Sequence, residues 1–168
     1  MARKSQYKLG DAVFYPAAGV GFIEAEEDLF LNGQCEPCFV IRILESSATI
    51  KVPLANMEKN GIRPLLDVKK VKDLFKMLSD AGKSRSTTGN QMERCRELAR
   101  KVNAGSCMEI GEVVRDLLRW KSQKDLSFEE VRLLQTGCNH LSREVAIATG
   151  TTPEDAIHRI REQVGVAA

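Results

Sequence analysis

Cys35-Glu36-Pro37-Cys38 is the tightest grouping of reactive side chains in the sequence. Such a Cys-x-x-Cys pair can hold zinc or cycle as a disulfide. Zinc needs two further ligands, and no second Cys-x-x-Cys or Cys/His pair follows at suitable spacing. A thioredoxin-like pair opens a helix, whereas this one runs directly from a turn into strand-forming residues. The five cysteines are odd in number, and Cys95, Cys107 and Cys138 fall at apolar helical positions. That suits reduced packing thiols better than a disulfide framework. The only histidines, His140 and His158, sit on helical patterns without a recognisable partner, as surface or packing residues do. Phosphate-binding glycine loops, nucleophile elbows and zinc-protease helices are missing from the sequence. The expectation is a protein that is not an enzyme and needs no metal, cofactor or small-molecule substrate.

Binding chemistry is better represented. Residues 1–66 carry 7 basic and 8 acidic side chains, whereas residues 69–101 carry 10 basic and 4 acidic ones. A basic stretch inside a chain of net charge +2 suggests one face for polyanions, although a solvated helix surface would look the same. Within it, Arg94, Arg96, Arg100 and Lys101 lie on one helical pattern, with Lys83 and Arg85 just before it. Arg96 and Arg100 are four apart and share a face. Lysine and arginine supply phosphate contacts, and a helix N-terminus adds to them.

The elements that position these residues divide into two kinds. Short runs at 11–16, 20–25, 38–44 and 48–53 are rich in β-branched and aromatic residues, with turn signals between them. Asn32-Gly33 is the strongest hairpin marker. Strands at this spacing suggest a small, bent antiparallel barrel of the Tudor or SH3 kind, with Pro53 ending its strand. From Val68 the apolar period becomes helical. Asn90 with Glu93, Ser106 with Glu109, and Ser127 with Glu130 have capping-box spacing, and Thr152-Pro153 sets a cap before proline at a first helical position. Five helices in about 100 residues form a compact bundle. The expected fold is therefore α+β in two domains, a Tudor/SH3-like barrel over residues 1–66 and an all-α bundle over 67–168.

The 168 residues suffice for two small domains, and the apolar and charged fractions of 43% and 29% are those of a globular protein. No stretch approaches the apolar length of a membrane span, and the basic N-terminus leads into no apolar signal core. The expected location is the cytoplasm.

Local sequences also coincide in a specific order. Tyr7-Lys-Leu-Gly-Asp-Ala-Val-Phe-Tyr-Pro16, Gly19-Val-Gly21, Lys51-Val-Pro53 and Gly61-Ile-Arg63 resemble the N-terminal domain of the CarD/CdnL family. Gly105-Ser106, Glu112-Val-Val-Arg-Asp-Leu117, Lys124-Asp-Leu-Ser-Phe128 and Glu144-Val-Ala-Ile-Ala148 resemble its helical domain. The resemblance runs from about Tyr7 to about Val164. Transcription-repair coupling factor has the same N-terminal domain type, but this chain has no helicase motor.

The resemblance implies a bacterial, nucleoid-associated transcription regulator. Its Tudor-like domain would bind the β subunit of RNA polymerase by adding an exposed strand to a polymerase sheet. That strand falls on Thr49, Ile50, Lys51, Val52 and Pro53, with Lys51 facing the polymerase. Ile50 and Val52 also read as core residues, and Lys51 as an outward one. The helical domain would contact promoter DNA at the upstream edge of the bubble, without a defined operator, and stabilise the open complex.

Characterised members use a tryptophan wedge flanked by arginines. Counting back from Gly105 puts Gln91 at the wedge position, followed by Met92, with Glu93 reversing a charge and Arg94 and Arg96 keeping theirs. Glu129 and Val131 replace a small and a basic residue, while Arg132 remains. The sole tryptophan, Trp120, lies near the end of another helix and is expected to pack. The implied DNA-binding residues are Arg85, Gln91, Met92, Arg94, Arg96 and Arg132. The alternative is a CarD-like adaptor that binds polymerase or another protein without productive DNA contact.

Overall fold

The computed structural model describes residues 6–82 and 90–166. It divides into two compact units, Met1–Leu65 and Leu66–Ala168.

The first unit is an antiparallel sheet of β1 (Ala12–Tyr15), β2 (Gly19–Leu31), β3 (Gln34–Ile43), β4 (Thr49–Pro53) and β5 (Arg63–Pro64), in the order β4-β3-β2-β1-β5. β2 and β3 extend well past the expected strand ends because their connection is minimal. Asn32 and Gly33 both take left-handed backbones (φ 51° and 80°), so pairing continues to Leu31 opposite Gln34. Two-residue turns of this hand match the twist of the strands they join. A bulge between Ile23 and Ala25 bends the β2–β3 ladder. β5 carries no periodic signal, since it spans two residues and one of them is proline.

One side of the sheet buries Tyr7, Val13, Ile23, Phe39, Ile41, Ile43, Val52, Met57 and Ile62. The Tyr7 hydroxyl donates to the Ile62 carbonyl at 3.1 Å, and burial pushes its pKa up. β4 and β5 are the two ends of the strand order, so the ladder is open and not closed into a barrel.

The second unit contains α1 (Val68–Ser79), α2 (Gln91–Ala104), α3 (Cys107–Gln123), α4 (Phe128–Thr149) and α5 (Pro153–Val164). Ser127 and Glu130 form the complete capping box: the hydroxyl accepts from the Glu130 N–H at 3.3 Å, and the carboxylate accepts from the Ser127 N–H at 2.8 Å. Asn90 accepts from the Met92 N–H at 3.0 Å, and Thr152 from the Asp155 N–H at 3.1 Å. Ser106 departs from its expected capping role and makes no side-chain cap hydrogen bond.

α3 is the central helix, burying Ile110, Val113, Val114, Leu117, Leu118 and Trp120. α1 approaches it at Gly111, where an added Cβ would lie 2.7 Å from Leu74 Cδ1 and from Met77 Cε. Buried and half-buried polar groups tie the bundle together. Arg119 of α3 donates to the carbonyls of Leu78, in the last turn of α1, and Asp80, just after it, and to the Val164 carbonyl of α5. Carbonyls at helix ends have no partner within their own helix, so one guanidinium completes two termini. Arg115 donates to Asp116 at 3.0 Å and to the Met77 carbonyl at 3.2 Å. Glu144, buried, accepts from the Leu66 N–H at 3.0 Å.

Candidate functional site

β4 is an edge strand: it pairs with β3 on one side, from Arg42 opposite Thr49 to Cys38 opposite Pro53, and no strand follows it in the order. An edge strand offers unpaired backbone donors and acceptors to another chain. Along β4 the side chains alternate as a two-residue period requires. Val52 is buried and Ile50 half-buried against the core, while Thr49 and Lys51 face outward. Pro53 is the last residue of the strand.

Lys51 bonds Glu27 of β2 at 2.9 Å, with both side chains about half exposed (46% and 49%). This hydrogen bond and charge pairing hold the ammonium pKa above its usual value. Beside it, Arg42 and Glu24 form a second surface pair at 2.8 Å. Pairs this exposed are worth little and exchange partners readily.

Cys35 and Cys38 lie three residues apart on β3, so the pleat points them to opposite faces. Extended backbone also separates their Cα atoms by roughly 10 Å, beyond disulfide reach. Cys35 is exposed and Cys38 buried, and burial raises the Cys38 thiol pKa. Among the described residues no cluster of His, Cys, Asp or Glu could hold a metal ion. His140 is buried in α4, and His158 pairs with Glu162 on α5 at 3.1 Å.

Of the six residues the resemblance assigns to DNA, Arg85 lies outside the described residues. Gln91 and Met92 open α2, exposed, and Arg96 is exposed one turn later. Arg94 stands apart. Its Nε and Nη2 each lie 3.2 Å from Glu130 Oε1, and its side chain is only 20% exposed. Glu130 is fully buried and also completes the α4 capping box, so Arg94 is engaged in joining the first turns of α2 and α4. Arg132 is exposed and chelated by Glu129 at 2.9 Å. Further along α2, Lys101 reaches Glu112 at 3.0 Å and Arg100 reaches Glu97 at 2.8 Å. Trp120 is 6% exposed and packs inside the bundle.

Sequence reasoning missed Phe128. It stands at the first position of α4 with 82% of its surface exposed, at the same end of the bundle as Met92 (61%). The apolar period of α4 does not include it, a signal legible only once the helix start is placed.

An open strand edge on one unit and exposed arginines with apolar residues on the other define a protein built for macromolecular contacts. A family model for the CarD-like/TRCF RID domain matches residues 7–66, and one for the CarD C-terminal domain matches residues 73–161. YdeB of Bacillus subtilis (strain 168), a candidate transcription factor, is 30% identical over 146 residues, 87% of this chain and 94% of that protein. The chain belongs to the CarD-like family: it is a transcription regulator with an RNA polymerase-interacting domain and a CarD-type helical domain. Among the described residues no helix is long and apolar enough to cross a membrane.

Proposed function

We propose that this regulator binds the β subunit of RNA polymerase through its first unit, a Tudor-like module, and steadies the promoter open complex through its second. The observation that carries this reading is the open edge of β4 with Lys51 directed outward. A polymerase strand laid along Thr49, Ile50, Lys51, Val52 and Pro53 would pair with the free backbone groups, while Ile50 and Val52 keep the strand anchored to its own core. Lys51 would release Glu27 for an acidic or polar partner at small cost, because both are half exposed. On the helical unit, Gln91, Met92 and Arg96 at the start of α2 and Arg132 near the start of α4 would contact DNA at the upstream edge of the bubble, while Arg94 pairs with Glu130 between the two helix starts. Contacts of this kind depend on charge and on unstacked DNA, without a defined operator. The protein would work in the cytoplasm, on the nucleoid.

A second reading rests on the ion pairs. Glu93 reverses a charge and Arg94, Arg100, Lys101 and Arg132 all have carboxylate partners, which favours an adaptor that binds polymerase and contacts DNA little. The deciding experiment measures open-complex lifetime on a promoter fragment with purified polymerase, with and without the protein, beside Lys51→Glu. The first reading expects an extended lifetime that the variant abolishes. Intact polymerase binding with no extension selects the adaptor.

A further inference from the structure

The basic stretch between residues 69 and 101 divides in two once its helices are placed. On α2 most of the charge is paired, with Arg94, Arg100 and Lys101 each reaching a carboxylate. On α1 it is not. Residues 69–76 hold four lysines and one aspartate, Asp73, and all five side chains are exposed. Among the described residues no lysine of α1 enters an ion pair. Lys69, Lys72 and Lys76 are spaced by three and four, so they line one face over about 10 Å of helix. Phe75 follows Lys72 by three residues, half-buried at the border of that face. The guanidinium of Arg159 on α5 lies over its ring, 5.0 Å from the centroid. Packing of α5 on α1 therefore sets a further cation on the Lys72 side of the stripe. Asp73, with Asp155 and Glu162 a turn from Arg159, lowers the charge of the face without reversing it, and Glu162 already meets His158.

We infer that α1 and Arg159 form a separate nucleic-acid contact, in which Lys69, Lys72, Lys76 and Arg159 grip the phosphates of duplex DNA. This rests on the reading that the helical unit contacts promoter DNA, and it adds a face that shares no residue with Gln91, Met92, Arg96 and Arg132. The residue types select phosphate. An ammonium is a compact charge with three donors, and a guanidinium stacked on a ring keeps its donor edge free and loses little freedom on binding. Cations spread in the open along a helix suit an extended polyanion better than a single phosphate group. The ring of Phe75 is covered by Arg159, so it has no open face on which to stack a base. Single strands draw much of their affinity from such stacking. A duplex relies on charge, presenting one phosphate per about 1.7 Å of its axis. Contacts to the backbone fix position on the duplex and carry no sequence preference.

The test measures binding of the full chain to a short fluorescent duplex of arbitrary sequence by anisotropy, over a range of salt concentrations. Log affinity falls with log salt by roughly 0.9 per phosphate neutralised. Replacing the three lysines together, Lys69→Gln, Lys72→Gln and Lys76→Gln, should lower that slope by about 2–3 and leave thermal unfolding unchanged. Arginine at the same three positions should keep the slope, and Arg159→Gln should lower it by about 1. An unchanged slope in the triple glutamine variant overturns the inference. So does a single strand of equal length bound more tightly than the duplex through the same lysines, which gives the face to unpaired nucleic acid. A triple variant that loses only its binding to phosphatidylglycerol vesicles overturns it as well, because the face then meets a membrane surface. In each of these cases a duplex affinity that falls in Arg96→Gln leaves the DNA-contact reading intact. Failure of the wild type to bind the duplex at low salt removes both.

Discussion

The two units hold themselves together by different means. The sheet unit buries an apolar cluster and keeps its ion pairs, Arg42–Glu24 and Lys51–Glu27, on the outside. The helical unit threads charged groups through its interior: Glu130 and Glu144 are buried, Arg115 bonds Asp116 and a helix-end carbonyl, and Arg119 completes the ends of α1 and α5. The lesson concerns what a charged residue is free to do. On the sheet, charges can leave their partners for another protein at little cost. In the bundle, breaking a buried pair strands an uncompensated charge. A count of arginines therefore overstates the polyanion-binding capacity of the helices, and Arg94, Arg115 and Arg119 are spoken for.

The sharpest way to break this comparison is Glu130→Ala, which leaves Arg94 facing a partly buried void and removes half the α4 capping box. A loss of about 3–5 kcal/mol in denaturant unfolding is expected. A loss below about 1 kcal/mol would mean the buried pair does not hold the helix starts together. The sheet counterpart is Ile41→Ala, expected to cost about 2–5 kcal/mol through cavity formation alone. That cost should be insensitive to salt, which checks that no charge is involved.

Cys138 gives the helical unit a pH signature. Burial raises its thiol pKa from 9.0 to about 11. Below pH 9 folded and unfolded chains both keep the proton, so stability is unaffected. Between pH 9 and about 11 the unfolded chain releases it first, and stability falls by about 2–3 kcal/mol. Cys138→Ala should flatten that part of the stability profile, and an unchanged slope would assign it elsewhere.

Smaller effects sharpen the comparison further. Asn90→Ala removes the cap of α2 and should cost about 1 kcal/mol in thermal unfolding. The smallest stability change is expected from Lys51→Glu, within about 1 kcal/mol because its pair is exposed. The same substitution should nonetheless abolish capture of the isolated polymerase β subunit in a pull-down. A variant that binds as wild type does would remove β4 as the contact.

Features of short range were legible before any coordinates. The Asn32-Gly33 turn, the Ser127–Glu130 box and the Thr152-Pro153 helix start all depend on residues within four positions of one another, where backbone geometry alone decides the outcome. Ser106 shows the limit of that logic, because it has the spacing of a capping box and makes no cap bond. The outward direction of Lys51 followed from strand alternation. That β4 has an open edge did not, because strand order is a property of the whole sheet.

The sequence by itself determined the division into a strand-rich and a helical half, the family, and the ends of most helices, since local periodicity and capping are written in neighbouring residues. Only the tertiary structure decided which arginines are available and which of the helical unit's aromatics Trp120 and Phe128 is exposed. Arg94 meets Glu130 across 36 positions, Arg119 reaches carbonyls 41 and 45 positions away, Trp120 is enclosed and Phe128 is left in solvent. Those outcomes depend on which helix faces are pressed together, and packing of surfaces distant in the chain leaves no mark in the spacing of residues along it.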